Sequence, residues 1–499
     1  MASPSTILLS NGTVLLHDEK DHVTAVKADI LIVDNRIAEI APGISSPSNA
    51  VVINCTGKIV SPGFIDRNAH RTRHKPGGYG ARRSVRETTF SPGFIPYGAY
   101  DPDDVFWGQL GGCMEALDGG VTMVVDHAHI NASAAHSSSA LSATESSGIR
   151  SYFCYSPIQS LRTASWSPKF QLVPWTPGAG PVPEWASNQL AELAAKQPFG
   201  EGRVHLGVSF DAWYLPKQGV LFFENARKLG VKLFTSHYVK NAIIGQHSLV
   251  SLLNSYGLLS HDFLLSHATQ ALPEDADLLS AKNAHISSTP DTELQMAHGT
   301  PVCLRPDLYK LSSLGIDCHS NNSGDILSQM RLALQSACGH RNAGYVAQGK
   351  VPRTVLPTVE EAFNLGTIMG ARAVGMGGDI GSIAVGKLAD LVIFDAQSPS
   401  MVCAAEEDPV AAIVLHASVR DIETVIVDGK IRKRGGKLVA VDVGERAEGR
   451  VLEWSGISAK LIESRKRIHQ VLEGMDEAGA RAAVIQTFHI NEDNIVDVV

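Results

Sequence analysis

A chain of 499 residues with a formal net charge of -8 is too long for one small core and lacks the basic surface of a nucleic-acid binder. Its composition, 44% apolar and 19% charged, is that of an ordinary folded protein, and no apolar run approaches the roughly 18 residues of a membrane span. Cys55, Cys113, Cys154, Cys303, Cys318, Cys338 and Cys403 are scattered without a Cys-x-x-Cys pair, and Met1-Ala2-Ser3-Pro4 opens no signal-peptide pattern, so a reduced, cytoplasmic chain is expected.

Residues 5 to about 57 read as short strands with turn punctuation: Thr6–Leu9, Asn11-Gly12, Val14–Leu16, Ala28–Val33, Asp34-Asn35, Ile37–Ile40 and Val51–Asn54. From residue 58 the pattern becomes strand then helix, repeatedly. Candidate strands are Ile59–Ile65, Val121–Asp126, Arg150–Tyr155, Val204–Phe210, Val231–Ser236, Phe263–Ser266, Ala284–Ser288 and Leu314–Asp317. Helical stretches such as Asp103–Leu117, Trp185–Lys196 and Leu249–Tyr256 lie between them. This alternation predicts an α/β chain closed into a (β/α)8 barrel, the alternative being an open doubly wound sheet. After Val359–Met369, β-patterning returns at Gly381–Asp395 and Val425–Lys430, and Ser458–Glu473 has the spacing of an amphipathic helix suited to docking or to contact between copies.

The first barrel strand leads through Ser61-Pro62-Gly63-Phe64-Ile65-Asp66 to Asn68-Ala69-His70. Polar groups just past the carboxyl end of a buried strand are where a barrel enzyme places its chemistry. Pro-Gly-Phe-Ile-Asp before a His-x-His pair resembles the amidohydrolase superfamily, whose paired histidines bind a catalytic metal; here Asn68 stands where the first of the two is expected. Gly386-Lys387-Leu388-Ala389-Asp390-Leu391-Val392-Ile393-Phe394-Asp395 and Val427-Asp428-Gly429-Lys430 resemble the C-terminal return of the same family. The resemblance implies a composite β-sandwich of residues 1–57 and 381–440, a catalytic barrel of 58–380 and a helical extension of 441–499.

The same resemblance places metal-centre residues at three further strand ends: His237 on the fifth, His267 on the sixth and Asp317 on the eighth. A catalytic divalent metal takes neutral imidazoles and a carboxylate from rigid elements and keeps one position for water. The implied set is His70, His237, His267 and Asp317 with Asn68 beside them, holding one zinc, or iron or manganese. In this reading Asp317 also takes the proton of the attacking water, and His267 polarises the substrate. A structural zinc site is worth about 10–16 kcal/mol shared among about four ligands, so Asn68 in place of an imidazole weakens binding by several kcal/mol. His127 and His129 at the second strand end, or His74, could compensate; the simpler role for His127 and His129 is lining the substrate site, with Asp211, His319 and Trp166.

Two departures narrow the activity. The fourth strand ends Ser209-Phe210-Asp211 rather than in lysine, which disfavours a two-metal, carbamylated-lysine centre and resembles the single-metal branch of deaminases and triazine hydrolases. The deaminases of that branch carry Glu three residues after the fifth-strand His, where this chain has Lys240, so the triazine-hydrolase type fits better. The segment Arg71–Arg86 is rich in Arg and Gly; a repurposed anion-binding loop, a solvated flap and a locally shifted reading frame all account for it. A long insertion from Ser156 to about Trp185, with Trp166 and Trp175, suits either a lid over a flat substrate or surface packing. The expected function is metal-dependent hydrolysis of a C–N or other leaving-group bond on a small cyclic amide, amidine or heterocycle. The alternatives are a metal-independent lyase, isomerase or cyclase on this fold, and a non-catalytic binding protein. The expected partner is a small molecule, with homo-oligomerisation open and neither nucleic acid nor membrane involved.

Overall fold

The computed structural model describes residues 6–70, 100–128, 130–157, 162–163, 172–173, 182–211, 213, 218–240, 247–319 and 322–473, with isolated positions beyond, and at 67–70, 162–163, 172–173, 218–219 and 472 the backbone alone. Strands β1 (Thr6–His17), β2 (Val23–Val33) and β3 (Arg36–Ala41) form an antiparallel meander, and β4 (Val51–Asn54) and β5 (Lys58–Pro62) run parallel beside β1. Asp34-Asn35 makes the expected tight hairpin, with Asp34 at φ 55°. Asn11-Gly12 does not turn the chain. The register slips between Leu9 and Gly12, Asn11 takes φ 60°, and β1 runs on to His17. A left-handed residue beside glycine absorbs the extra position as a bulge.

The apolar run Ile59–Ile65, expected as one strand, is divided at Gly63. There the Gly63 N–H donates to the Asp390 carbonyl (2.9 Å), and any side chain would collide with Thr122. Upstream, β5 stays in the terminal sheet; downstream, β6 (Phe64–His70) opens the barrel. The parallel ring continues through β7 (Val121–Ala128), β8 (Arg150–Tyr155), β9 (Val204–Ser209), β10 (Phe234–Tyr238), β11 (Phe263–His267) and β12 (His285–Ser288). The eighth strand is broken: β13 (Ser312–Leu314) pairs with β12, and β14 (Asp317–Cys318) pairs back onto β6, Asp317 opposite Ala69. The ring is therefore closed and the open sheet is excluded. Fully buried Asp66 accepts the Ile316 N–H (2.9 Å) across this seam, so the carboxylate of the signature stretch holds the ends of the ring together.

Helices clothe the outside: α1 (Pro102–Asp118), α2 (Ala134–Ser147), α3 (Glu184–Lys196), α4 (Gln218–Lys228), α5 (Leu249–Ser255), α6 (Pro273–Lys282), α7 (Pro290–Gln295) and α8 (Ile326–Val346). Asp101 and Asp104 cap the start of α1 reciprocally, with Pro102 preset for the first turn. Phe223 of α4 meets Phe234 and Phe263 at ring-centroid distances of 5.3 and 5.8 Å. Each such buried ring contributes about 1.5–3 kcal/mol and fixes where the fifth and sixth strands end.

After α9 (Val359–Gly366) and α10 (Ile368–Ala373), the chain returns to the terminal sheet as β15 (Leu391–Asp395), β16 (Ile422–Val427), β17 (Lys430–Arg434) and β18 (Lys437–Leu438). The strand order is β18-β17-β16-β15-β5-β1-β2-β3, with β4 on β1. Arg150, at the start of β8, clasps this sheet: its guanidinium donates to both oxygens of Asp390 (2.7 and 3.1 Å) and to Asp428 (2.9 Å), all nearly buried. Helix α11 (Trp454–Leu472) docks on α1, where Gly111 makes room for Leu461 and Arg467 pairs with Asp104 and, at 3.4 Å, Asp101. No helix of the described residues is long and apolar enough to cross a membrane.

Candidate active site

The fifth, sixth and eighth strands end together at one mouth of the barrel. His237 closes the buried run of β10, His267 ends β11 and Asp317 opens β14; each offers a ligand atom within 4.8 Å of the others. His267 and Asp317 are buried and both have left-handed backbones, φ 72° and 66°. Non-glycine residues rarely adopt that region, and where they do the surrounding fold enforces it, often at a functional site. The break at Gly315-Ile316 brings the Asp317 carboxylate to the histidines instead of continuing a regular strand.

Each imidazole is held by a neighbour. His237 Nδ1 lies 2.8 Å from Asp211 Oδ2, and its backbone N–H donates to Asp211 Oδ1 (2.8 Å). His127 Nε2 lies 3.0 Å from the same Oδ2, while Thr235 Oγ1 sits 3.1 Å from His127 Nδ1. His267 Nδ1 is 2.9 Å from Thr289 Oγ1 and 3.6 Å from Glu293 Oε1, which also accepts the Thr289 N–H (2.7 Å). The rings of His127, His237, His267 and His298 follow one another at centroid distances of 4.4, 5.7 and 5.6 Å.

These surroundings set charge. Burial pushes the His267 pKa down to about 4, so its imidazole is neutral at physiological pH. Desolvation works against ionisation of Asp211, but His237 and His127 beside it hold its carboxyl well below the usual range. Desolvation of His237 is likewise overcome by Asp211, and its pKa is raised. His127 is lowered by burial, and burial raises the Glu293 carboxyl well above its ordinary value. Two imidazoles and a carboxylate on rigid strand ends, His267 neutral among them, are a donor set that suits a zinc-class ion.

Of the other expected residues, His127 and Asp211 meet at the mouth. His319 has a fully buried ring, its Nδ1 2.5 Å from Glu115 Oε2. Lys240, three residues after His237, is buried: Nζ donates to the Gln270 carbonyl (3.3 Å) and to Asp275 (3.4 Å). His129 and Trp166, and the side chains of Asn68 and His70, lie outside the described residues; the backbone of His70 is in register with Cys318. Glu293 and His298 were not singled out from the sequence. They follow the seventh strand in a short helix and a loop, where no spacing marks them.

Residues 235–432 match the profile of the amidohydrolase family. A 5-methylthioadenosine/S-adenosylhomocysteine deaminase of Thermococcus kodakarensis is 26% identical over 453 residues, covering 85% of this chain and 93% of the relative. Among solved structures, an adenosine deaminase of Xanthomonas campestris with bound zinc superposes with a TM-score of 0.74 at 17% identity, over 94% of this chain and 99% of that one. An atrazine chlorohydrolase of Arthrobacter aurescens with zinc superposes at 0.72 and 19% identity, over 92% and 100%.

Proposed function

The chain carries an amidohydrolase-family domain on a closed barrel, and from that premise we propose that it is a metal-dependent hydrolase displacing a substituent, an amino group foremost, from a small nitrogen heterocycle. The observation that carries this reading is the convergence of His237, His267 and Asp317 within 4.8 Å at the barrel mouth. The names of the deaminase relatives support an amino leaving group, and the zinc of the solved neighbours supports a divalent metal. We assign zinc on the donor set, His237 and His267 with Asp317, joined by strand one at His70. When bound, such an ion supplies a water acidic enough to ionise near neutral pH.

The chain's own groups do the rest. Asp317 accepts the water's proton and returns it to the departing nitrogen. His267, neutral and steadied at Nδ1 by Thr289, would offer its other nitrogen to such an ion or to the substrate ring. Asp211 fixes the orientation of His237. Lys240, engaged by Asp275 and Gln270, takes no part in proton transfer, so that task falls to Asp317. We place the enzyme in the cytoplasm, because its seven cysteines are scattered along the sequence without a Cys-x-x-Cys pair.

Assays on amino- and halo-substituted purines, pyrimidines and triazines test the reading. Turnover is expected on at least one of them, lost on chelation and restored by zinc. Asp317→Asn should lower kcat by about 10²–10⁴-fold, the range of a general base, with the fold intact. Turnover indifferent to metal removal, or unchanged in Asp317→Asn, overturns it.

A further inference from the structure

The reading above uses Asp211 only to orient His237 and leaves His127 without a role. Yet the two carry a geometry of their own. Asp211 Oδ1 is engaged by the His237 N–H (2.8 Å) and the Ser236 hydroxyl (3.1 Å). Its Oδ2 is turned toward two imidazoles, His237 Nδ1 at 2.8 Å and His127 Nε2 at 3.0 Å. The three groups can each offer one ligand atom within 4.8 Å of the others. A tetrahedral ion with bonds of about 2.0–2.1 Å has donor–donor edges of about 3.3 Å. The two edges from Asp211 Oδ2 therefore need to lengthen by only a few tenths of an ångström to admit one, and the two imidazole nitrogens lie within 4.8 Å of each other.

We propose that His127, Asp211 and His237 form a second seat for a divalent, zinc-class cation, overlapping the first through His237. The inference rests on the metal-centre reading above and adds where the ion can sit. Three further observations support it. The side chains of Asp211 and His237 are 41% and 24% exposed, so an ion can reach the seat from solvent. Thr235 meets Nδ1 of His127 at 3.1 Å, the outer-shell contact that orients a ligating imidazole with its other nitrogen outward. Strand one provides Asn68 in place of an imidazole, and the second seat supplies one through His127. Because His237 faces Asp211 with Nδ1, filling both seats at once would require a bridging imidazolate. The seats therefore compete for one ion.

Removing the first seat exposes the second. Co²⁺ is titrated into the full chain, into Asp317→Asn, and into Asp317→Asn combined with His127→Gln or with Asp211→Asn, each checked for native circular dichroism. The wild type is expected to bind one Co²⁺, and Asp317→Asn to bind one within about tenfold of that affinity. Either double variant should bind at least a hundredfold more weakly than Asp317→Asn. If Asp211→Asn impairs folding, His127→Gln carries the comparison. An Asp317→Asn protein that takes no ion, or double variants that bind as well as their parent, overturn the second seat while the first stands. A wild-type chain that takes no ion overturns both.

Discussion

His298 shows how a single buried group can be read through pH. It is 8% exposed, its Nδ1 has no hydrogen-bond partner, and burial, aided by the nearby His267, pushes its pKa down to about 4. A histidine depressed on folding contributes stability that is present above its unfolded value near 6.5 and lost as pH falls through the folded value. Between pH 6.5 and about 4 the wild type should therefore lose up to about 3 kcal/mol that His298→Phe, which keeps the ring volume without the charge, does not lose. Denaturant unfolding of both proteins across that window checks this; parallel curves would mean that His298 is protonated as easily folded as unfolded. The same residue marks the edge of what the sequence makes legible at the site. His237, His267 and Asp317 are readable because each follows a buried strand, and strand ends of a barrel face one mouth. Asp211 is readable as a non-lysine at the end of the fourth strand, suited to lining the substrate site. That its carboxylate binds two imidazoles depends on β7, β9 and β10 meeting in space. Glu293 and His298 gain their character from desolvation, which no local pattern encodes.

Element by element, periodicity gave the order of the strands but not where each stops. The run Ile59–Ile65 is uniformly apolar because both of its halves are buried, one in each sheet; hydrophobicity alone cannot place the break that Gly63 makes. Strand eight is similar: Leu314 to Asp317 reads as one strand, yet it breaks at Gly315-Ile316, and the left-handed Asp317 beyond the break delivers a carboxylate. The C-terminal Ala-Asp-Leu-Val stretch, recognisable as a pattern, gains its physical reason from Arg150. Asp390 accepts two hydrogen bonds from that guanidinium and a third from the Asp428 N–H (2.7 Å). Removing one partner of such a buried pair leaves an uncompensated charge and costs about 3–5 kcal/mol. Arg150→Leu should lose that much in equilibrium unfolding. A loss under about 1 kcal/mol, the scale of a surface pair, would show that Asp390 finds a proton or water instead.

At the scale of the whole molecule, the candidate metal centre is also a crosslink. Its ligands come from β10, β11 and β14, residues 237 to 317, and β14 is the piece of the eighth strand that pairs back onto the first. An ion that binds only the folded barrel stabilises it by mass action, about 2.7 kcal/mol at a hundredfold excess over its Kd. A chain of this size has a large unfolding entropy, so the rise in Tm per kcal/mol is small, at or below the roughly 2–4 °C found for 150–250 residues. Zinc added to metal-free protein should therefore raise Tm by a few degrees, increasing with the logarithm of zinc concentration above Kd. His267→Gln, which removes a donor of the inner seat while leaving His127 and Asp211 in place, should shrink that rise but not abolish it, because the outer seat remains. Adding His127→Gln to it should abolish the rise. A Tm that climbs equally in wild type and in the double variant would mean that zinc stabilises the chain somewhere other than the barrel mouth.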